Sequence, residues 1–128
     1  MNPTQSPATT TILLAEDESS LRELVTLVLE SQGHRVLPAQ DGTHALQIAA
    51  SYEGVIDLLL SDVMMPGLTG PNLARQLQIM RPGIPVILMS GCAPQSMVLD
   101  EGWVFLNKPV GTKVLLHEVD NLVEQTAG

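Results

Sequence analysis

Apolar runs that end in polar residues recur along this chain. Five of them, each four to six residues long, predict β-strands; they span 11–15, 34–39, 57–61, 85–89 and 103–106. Between these runs, apolar residues recur every three to four positions, the spacing of amphipathic helices. Strands that alternate with helices predict an α/β fold, a doubly wound, five-stranded parallel sheet with helices on both faces and right-handed crossovers.

The first helix is predicted from its two ends and its apolar face. Ser20 and Glu23, three residues apart, form a capping box at its start, and Gly33 is a stop signal beyond its end. Its predicted inner face consists of Leu21, Leu24, Val25, Val28 and Leu29.

Later elements follow from proline positions and apolar spacing. The second helix follows the turn at 41–42 and ends near Ser51, Pro71 opens the third, and 112–124 closes the chain. The strand at 34–39 is predicted at a sheet edge, because Pro38 has no amide donor. The inner faces of the third and last helices are predicted to contain Leu73, Leu77, Met80, Leu115, Val119, Leu122 and Val123.

The length and composition indicate one domain. Residues 1–10 are polar with two prolines, so we expect a disordered tail or linker there, and 128 residues suit a single core over 11–128. No apolar run approaches the roughly 20 residues of a membrane span, and no signal peptide is visible. A single cysteine, Cys92, cannot form an internal disulfide. These features favour the cytoplasm.

The charge balance excludes one class of partner. The net charge is −8, with 14 acidic side chains against six Lys and Arg, so nucleic-acid binding by a basic face is not expected. An acidic balance suits a cation site and a basic protein partner.

Polar groups follow four of the predicted strands at their carboxyl ends. Glu16 and Asp17 follow the first, Asp62 the third, Ser90 the fourth and Lys108 the fifth. Because those ends converge on one edge of a parallel sheet, we expect three carboxylates, a hydroxyl and an amine to lie together.

The acids have two interpretations. Glu16 and Asp17 alone would be a solvated loop that caps the next helix. With Asp62 beside them, three carboxylates would repel one another unless a cation neutralised them. Oxygen-only ligands without the spacing of a calcium loop point to Mg²⁺ before Ca²⁺, with Mn²⁺ as a plausible substitute.

Ser90, Lys108 and Phe105 are ambiguous one by one. A serine before Gly91 is common in turns, most lysines are solvated, and a lone Phe is more often plain core. At the strand ends, however, a hydroxyl and an ammonium beside a metal-bound carboxylate can bind phosphoryl oxygens.

Four motifs carry a family resemblance. They are LLAEDE at 13–18, LLLSDVMMPGLTG at 58–70, VILMSG at 86–91 and FLNKP at 105–109. In this order and spacing, the chain from 11 to 126 resembles the receiver domain of two-component response regulators, which has a flavodoxin-like fold. The FLNKP motif and the polar leading segment also resemble those of receivers in hybrid sensor histidine kinases.

The resemblance implies roles for the acids. Asp62 would accept a phosphoryl group from a histidine kinase or a histidine phosphotransfer protein. Glu16 and Asp17 would hold Mg²⁺, together with Asp62 and the main-chain carbonyl of Met64.

It also implies roles for three residues of the later strands. Ser90 would bond the phosphoryl group and move toward it, Phe105 would change rotamer with Ser90, and Lys108 would pair with the phosphoryl oxygens. The Lys108–Pro109 peptide would be cis.

Two departures from the family pattern stand out. Val110 follows Pro109 where an aromatic residue is common, and we expect little effect. Between Ser90 and Lys108 the chain is about four residues shorter than usual, roughly one helical turn, so the fourth helix is expected to be short or irregular.

The predicted function is therefore that of a phosphoacceptor receiver that switches conformation. We expect the domain not to be an enzyme in its own right. We also expect it not to contact a membrane. Two other classes stay open. An aspartyl-phosphate phosphatase would need a general acid two residues after Asp62, where Met64 stands. A phosphorylation-independent interaction module is favoured only by the shortened fourth helix.

Overall fold

The computed structural model describes residues 10–91 and 102–127. Nine elements follow one another in this part of the chain: β1 (Thr11–Ala15), α1 (Ser19–Glu30), β2 (Arg35–Ala39), α2 (Gly42–Ser51), β3 (Leu58–Asp62), α3 (Gly70–Met80), β4 (Val86–Ser90), β5 (Val104–Asn107) and α4 (Thr112–Ala127).

The five strands form one parallel sheet in the order β2-β1-β3-β4-β5. This order confirms the predicted α/β fold. The strand that contains Pro38 lies at the edge of the sheet, as predicted, because an edge strand does not need every amide as a donor.

Within the described residues, two helices cover each face of the sheet. Alternate residues of a strand point to opposite faces. Thus Leu13 and Leu59 pack in a core with α2 and α3, whereas Leu14 and Leu60 pack in a second core with α1 and α4. β1, β3 and β4 are buried along their whole length between these two cores.

Element ends differ from the sequence prediction by a few residues. α1 begins at Ser19 and has Glu18 as its N-cap, with no side-chain cap, so the predicted capping box of Ser20 and Glu23 was wrong. The loop before the helix is stabilised instead by Glu16, whose Oε2 accepts a hydrogen bond from the Glu18 amide at 3.1 Å. α1 ends at Glu30, and Gly33 follows it with a φ of 90°, in agreement with the predicted stop signal.

Two residues predicted on inner faces are exposed. Leu24 is 56% exposed and Met80 is 42% exposed. α1 buries a narrower stripe around Val25 and Leu29 than its apolar spacing suggests, and Met80 is the last residue of α3. An apolar side chain can occur at either position without a core partner.

Two predictions lie outside the described residues. They concern the polar tail, of which 1–9 are not described, and the shortened fourth helix, which would fall within 92–101. Within the described ranges, no helix is long and apolar enough to cross a membrane.

Candidate functional site

The predicted polar residues lie at one edge of the sheet. Strand register places Ala15 beside Ser61, Asp62 beside Met89, and Ser90 beside Asn107. The residues that end these strands, or follow them directly, are therefore neighbours across the edge. Burial of the strands on both faces holds this row in place.

Three carboxylates meet there. Glu16, Asp17 and Asp62 each offer one oxygen, and these oxygens lie within 4.8 Å of one another. Glu16 is 1% exposed and Asp62 is 4% exposed, whereas Asp17 is open to solvent. The cluster thus has a buried floor and an accessible side.

Lys108 connects the two buried acids. Its Nζ lies 2.5 Å from Asp62 Oδ1 and 3.1 Å from Glu16 Oε1, and a quarter of its side chain is exposed. A buried carboxylate is costly unless it is paired, so this single ammonium stabilises both acids. One ammonium still cannot neutralise two carboxylates and the neighbouring Asp17.

The surroundings of Asp62 raise the pKa of its carboxyl group. Burial, together with the hydrogen bond and negative charge of Glu16, outweighs the opposing effect of Lys108 and raises the pKa of Asp62 to about 7. Burial acts in the same direction on Glu16, but hydrogen bonds from Asp62, the Glu18 amide and Lys108 lower its pKa overall. Of the two buried acids, Asp62 therefore takes the proton first.

Lys108 itself stays charged. Burial lowers its pKa, but the hydrogen bonds and charges of Asp62 and Glu16 outweigh burial and raise it. The amine is therefore available as an ammonium throughout the neutral range.

The loop after β3 folds tightly back on Asp62. The Gly70 amide donates to the Val63 carbonyl at 2.8 Å, and a Cβ on Gly70 would lie 2.1 Å from the Asp62 carbonyl oxygen. Only glycine fits such an approach. The Met64 side chain in this loop is 67% exposed. That its main-chain carbonyl is a metal ligand stays a prediction.

β4 and β5 bring the remaining two groups together. The Lys108 amide donates to the Ser90 carbonyl at 2.8 Å, and Ser90 is 6% exposed. The Lys108–Pro109 peptide is cis, as the resemblance implied. Phe105 pairs with Leu88 and packs, partly buried, against the core beneath α2 and α3.

Sequence reasoning missed one residue at this edge. Arg22 in α1 donates from Nη1 to the Glu16 carbonyl at 2.8 Å. Nothing in the sequence distinguishes this arginine from a solvated residue of a helix, because the contact depends on how α1 lies against the loop.

The donor set fits a small hard cation. All three side-chain donors are carboxylate oxygens, two of them are fixed by burial, and the third faces solvent, where water can complete a coordination shell. Mg²⁺ keeps several waters and favours such sites, and Mn²⁺ accepts the same donors.

Comparison with known proteins gives one consistent family. A sequence model of the response regulator receiver domain matches residues 12–120. The sensor kinase CckA of Brucella abortus is 36% identical over 119 residues, which are 90% of this chain and 13% of that protein. The chain spans less than a third of the length of curated relatives such as this one.

Solved structures agree. The receiver domain of the hybrid histidine kinase CckA has a TM-score of 0.78 at 38% identity, over 88% of this chain and 98% of that one. The response regulator TrrA of Thermotoga maritima, solved in complex with Mg²⁺-BeF, has a TM-score of 0.79 at 26% identity, over 89% and 99% of the two chains.

Proposed function

The chain belongs to the family of response regulator receiver domains, which act as phosphoacceptors in two-component signalling, and we propose that Asp62 is its acceptor. The supporting observation is the environment of this carboxylate. Asp62 ends a buried strand, shares a 4.8 Å cluster with Glu16 and Asp17, and is paired with Lys108.

The donor would be a phosphohistidine on a histidine kinase or a histidine phosphotransfer protein. Likeness to the CckA receiver supports this class of donor. In its ionised form, one Asp62 oxygen attacks phosphorus in line, an O–P bond forms, and the P–N bond to the donor imidazole breaks. The bond electrons leave with the imidazole nitrogen, which then takes a proton from water.

The chain's own groups would orient this transfer. The Lys108 ammonium already contacts Asp62 Oδ1 and is placed to donate to a phosphoryl oxygen added there. Glu16 holds that ammonium from the other side at 3.1 Å. When bound by Glu16, Asp17 and Asp62, Mg²⁺ would supply positive charge that offsets the crowded carboxylates and the phosphoryl oxygens.

Ser90 and Phe105 would couple phosphorylation of Asp62 to a conformational change elsewhere in the domain. Ser90 ends the strand beside β3, within the same polar edge, and Phe105 lies on the strand beyond it. Movement of the Ser90 hydroxyl toward a phosphoryl group would bias the Phe105 side chain, a local event with a wider effect. Hydrolysis of the acyl phosphate would reset the domain.

Labelling with acetyl phosphate tests the acceptor. We expect mass spectrometry to find one phosphoryl group on the wild type in the presence of Mg²⁺ and none on Asp62→Asn. Asp120→Asn on α4 is the matched control and should label normally. Undiminished labelling of Asp62→Asn would contradict the assignment.

The same experiment separates the other functional classes. A phosphatase would consume acetyl phosphate rapidly without a lasting adduct, and an interaction module independent of phosphorylation would show neither outcome. The complete set of two metal-facing acids, acceptor, hydroxyl and ammonium favours the receiver, since function follows the site more than the fold.

A further inference from the structure

Asp17 differs from the other two acids in how it is held. Glu16 and Asp62 are buried and bonded to Lys108, whereas the Asp17 carboxylate is exposed and has no hydrogen bond or ion pair within the described part of the chain. Its place beside the other acids therefore depends on the backbone of the loop that carries it.

Three hydrogen bonds hold that loop besides the one from Lys108 to the Glu16 side chain. The Glu16 amide donates to the Ala39 carbonyl at 3.1 Å, and the Glu18 amide donates to Glu16 Oε2 at 3.1 Å. The third, from Arg22 Nη1 to the Glu16 carbonyl, is the shortest at 2.8 Å. Of the three donors, only Arg22 is a side chain from a neighbouring element.

The carbonyl that Arg22 holds belongs to the peptide bond between Glu16 and Asp17. Because a peptide unit is planar, fixing its oxygen fixes the plane from which the Asp17 backbone continues. Arg22 is itself anchored, since its amide donates to the Glu18 carbonyl in the first turn of α1 at 2.9 Å. No side-chain cap stabilises this end of the helix.

We propose that Arg22 is a positioning residue for the cation site, which acts by holding the Glu16–Asp17 peptide so that the Asp17 carboxylate faces Glu16 and Asp62. This proposal rests on the proposed function, in which these acids bind Mg²⁺. Arg22 touches neither the ion nor the phosphoryl group; it orients a ligand through the backbone.

A positioning role and a purely electrostatic role for Arg22 predict opposite changes in Mg²⁺ affinity when the arginine is removed. A guanidinium near a cation site repels the cation, so removal of its charge alone would strengthen Mg²⁺ binding. Loss of a group that orients a ligand weakens metal binding, commonly by about tenfold or more. The direction of the change therefore decides between the two roles.

The experiment measures Mg²⁺ affinity by calorimetry without a phosphodonor, alongside the melting temperature of the metal-free protein. We expect Arg22→Ala to bind Mg²⁺ about tenfold more weakly. Arg22→Lys, which keeps a donor and the charge, should recover part of the affinity. Arg35→Ala, an exposed arginine on β2, removes the same charge elsewhere and should bind like the wild type.

The possible results distinguish failure of the Arg22 proposal from failure of the proposed function. Unchanged or tighter binding by Arg22→Ala would overturn the proposal, as would an equal loss in Arg35→Ala. If Arg22→Ala does not fold, Arg22→Gln replaces it, since Gln keeps a donor without the charge; affinity above that of the wild type would then overturn the proposal. A wild type that binds no Mg²⁺ would contradict the proposed function itself.

Discussion

At the residue scale, the buried acids Asp62 and Glu16 repel each other when both are ionised. Asp62 and Glu16 share one ammonium, and the pKa of Asp62 rises to about 7 because burial and Glu16 disfavour its ionised form. An acceptor held this way is destabilising as an anion and becomes favourable when positive charge arrives. The same crowding that costs stability in the metal-free protein thus makes the site responsive to a cation.

Asp62→Asn should therefore stabilise the metal-free protein at neutral and basic pH. The folded pKa lies above the unfolded value of 3.8, so the stability that protonated Asp62 contributes is present below 3.8 and is lost as pH rises through about 7. Asn is neutral at every pH and therefore does not lose stability by ionising, although it cannot form the ion pair with Lys108. We expect a gain of at most about 4 kcal/mol at pH 8, shrinking toward pH 4.

Urea unfolding in the presence of a chelator, repeated from pH 4 to 8, measures this difference. Asp120→Asn, an exposed acid on α4, is the control and should show no comparable pH-dependent gain. An Asp62→Asn protein less stable than the wild type at pH 8 would show that the ion pair outweighs the repulsion.

At the element scale, two contacts between distant segments hold the helices in place on one side of the sheet. The start of α3 lies against the Asp62 carbonyl through Gly70, and the residue after its end, Arg81, bonds to the end of α2. Both ends of α3 are thus fixed by backbone atoms of other elements, and one of these contacts lies directly beneath the acceptor.

Gly70→Ala should destabilise the fold and disturb the site together. The added Cβ would lie 2.1 Å from the Asp62 carbonyl oxygen, so the backbone must shift. We expect a loss of about 1–3 kcal/mol in the free energy of unfolding and slower labelling by acetyl phosphate. Gly111→Ala, whose Cβ would meet nothing within 4 Å, should change neither. Wild-type labelling by Gly70→Ala would contradict the coupling.

Arg81→Ala should destabilise the fold without changing the acidic site. Its guanidinium donates to the carbonyls of Ala49, Tyr52 and Gly54 at 2.7–3.0 Å, which satisfies the end of α2 and the loop after it. Charged hydrogen bonds of this kind contribute about 1.5–3 kcal/mol each when buried and less when partly exposed, so we expect a total loss of about 2–3 kcal/mol.

Chemical denaturation and Mg²⁺ calorimetry on the same protein check both parts. Arg35→Ala, an exposed arginine on β2, serves as the control for loss of charge. A changed Mg²⁺ affinity in Arg81→Ala would mean that the opposite end of the sheet is coupled to the site.

At the scale of the whole molecule, the two cores stabilise the fold, whereas the acidic edge provides the candidate cation site. The apolar cores cover both faces of the sheet, and in a molecule with a net charge of −8 three carboxylates meet at the carboxyl edge. A ligand that binds only the folded arrangement of those acids stabilises the folded state by mass action.

Mg²⁺ should therefore raise the melting temperature of the wild type. At 100 times its dissociation constant, a ligand specific for the folded state adds about 2.7 kcal/mol to the free energy of unfolding. Asp17→Ala removes one of the three carboxylates and should lose most of this effect. Scanning calorimetry against Mg²⁺ concentration tests it, with KCl of equal ionic strength as the control; an equal response to KCl would indicate simple screening.

The elements and the members of the site could be predicted from the sequence because both depend on local patterns. Apolar runs such as 58–60 and 86–89 identify buried strands, and in a parallel sheet the residues that end them must share an edge. Glu16, Asp17, Asp62, Ser90 and Lys108 were placed there by that argument.

Tertiary structure alone decided how those residues interact. Lys108 and Glu16 are 92 positions apart in the chain, yet their 3.1 Å contact is one of the interactions that lower the pKa of Glu16. The bonds from Arg22 to a loop carbonyl and from Arg81 to the end of α2, and the exposure of Leu24, likewise depend on how helices lie on the sheet. Periodicity encodes burial within an element, whereas distances, charges and hydrogen bonds between elements exist only after they have packed.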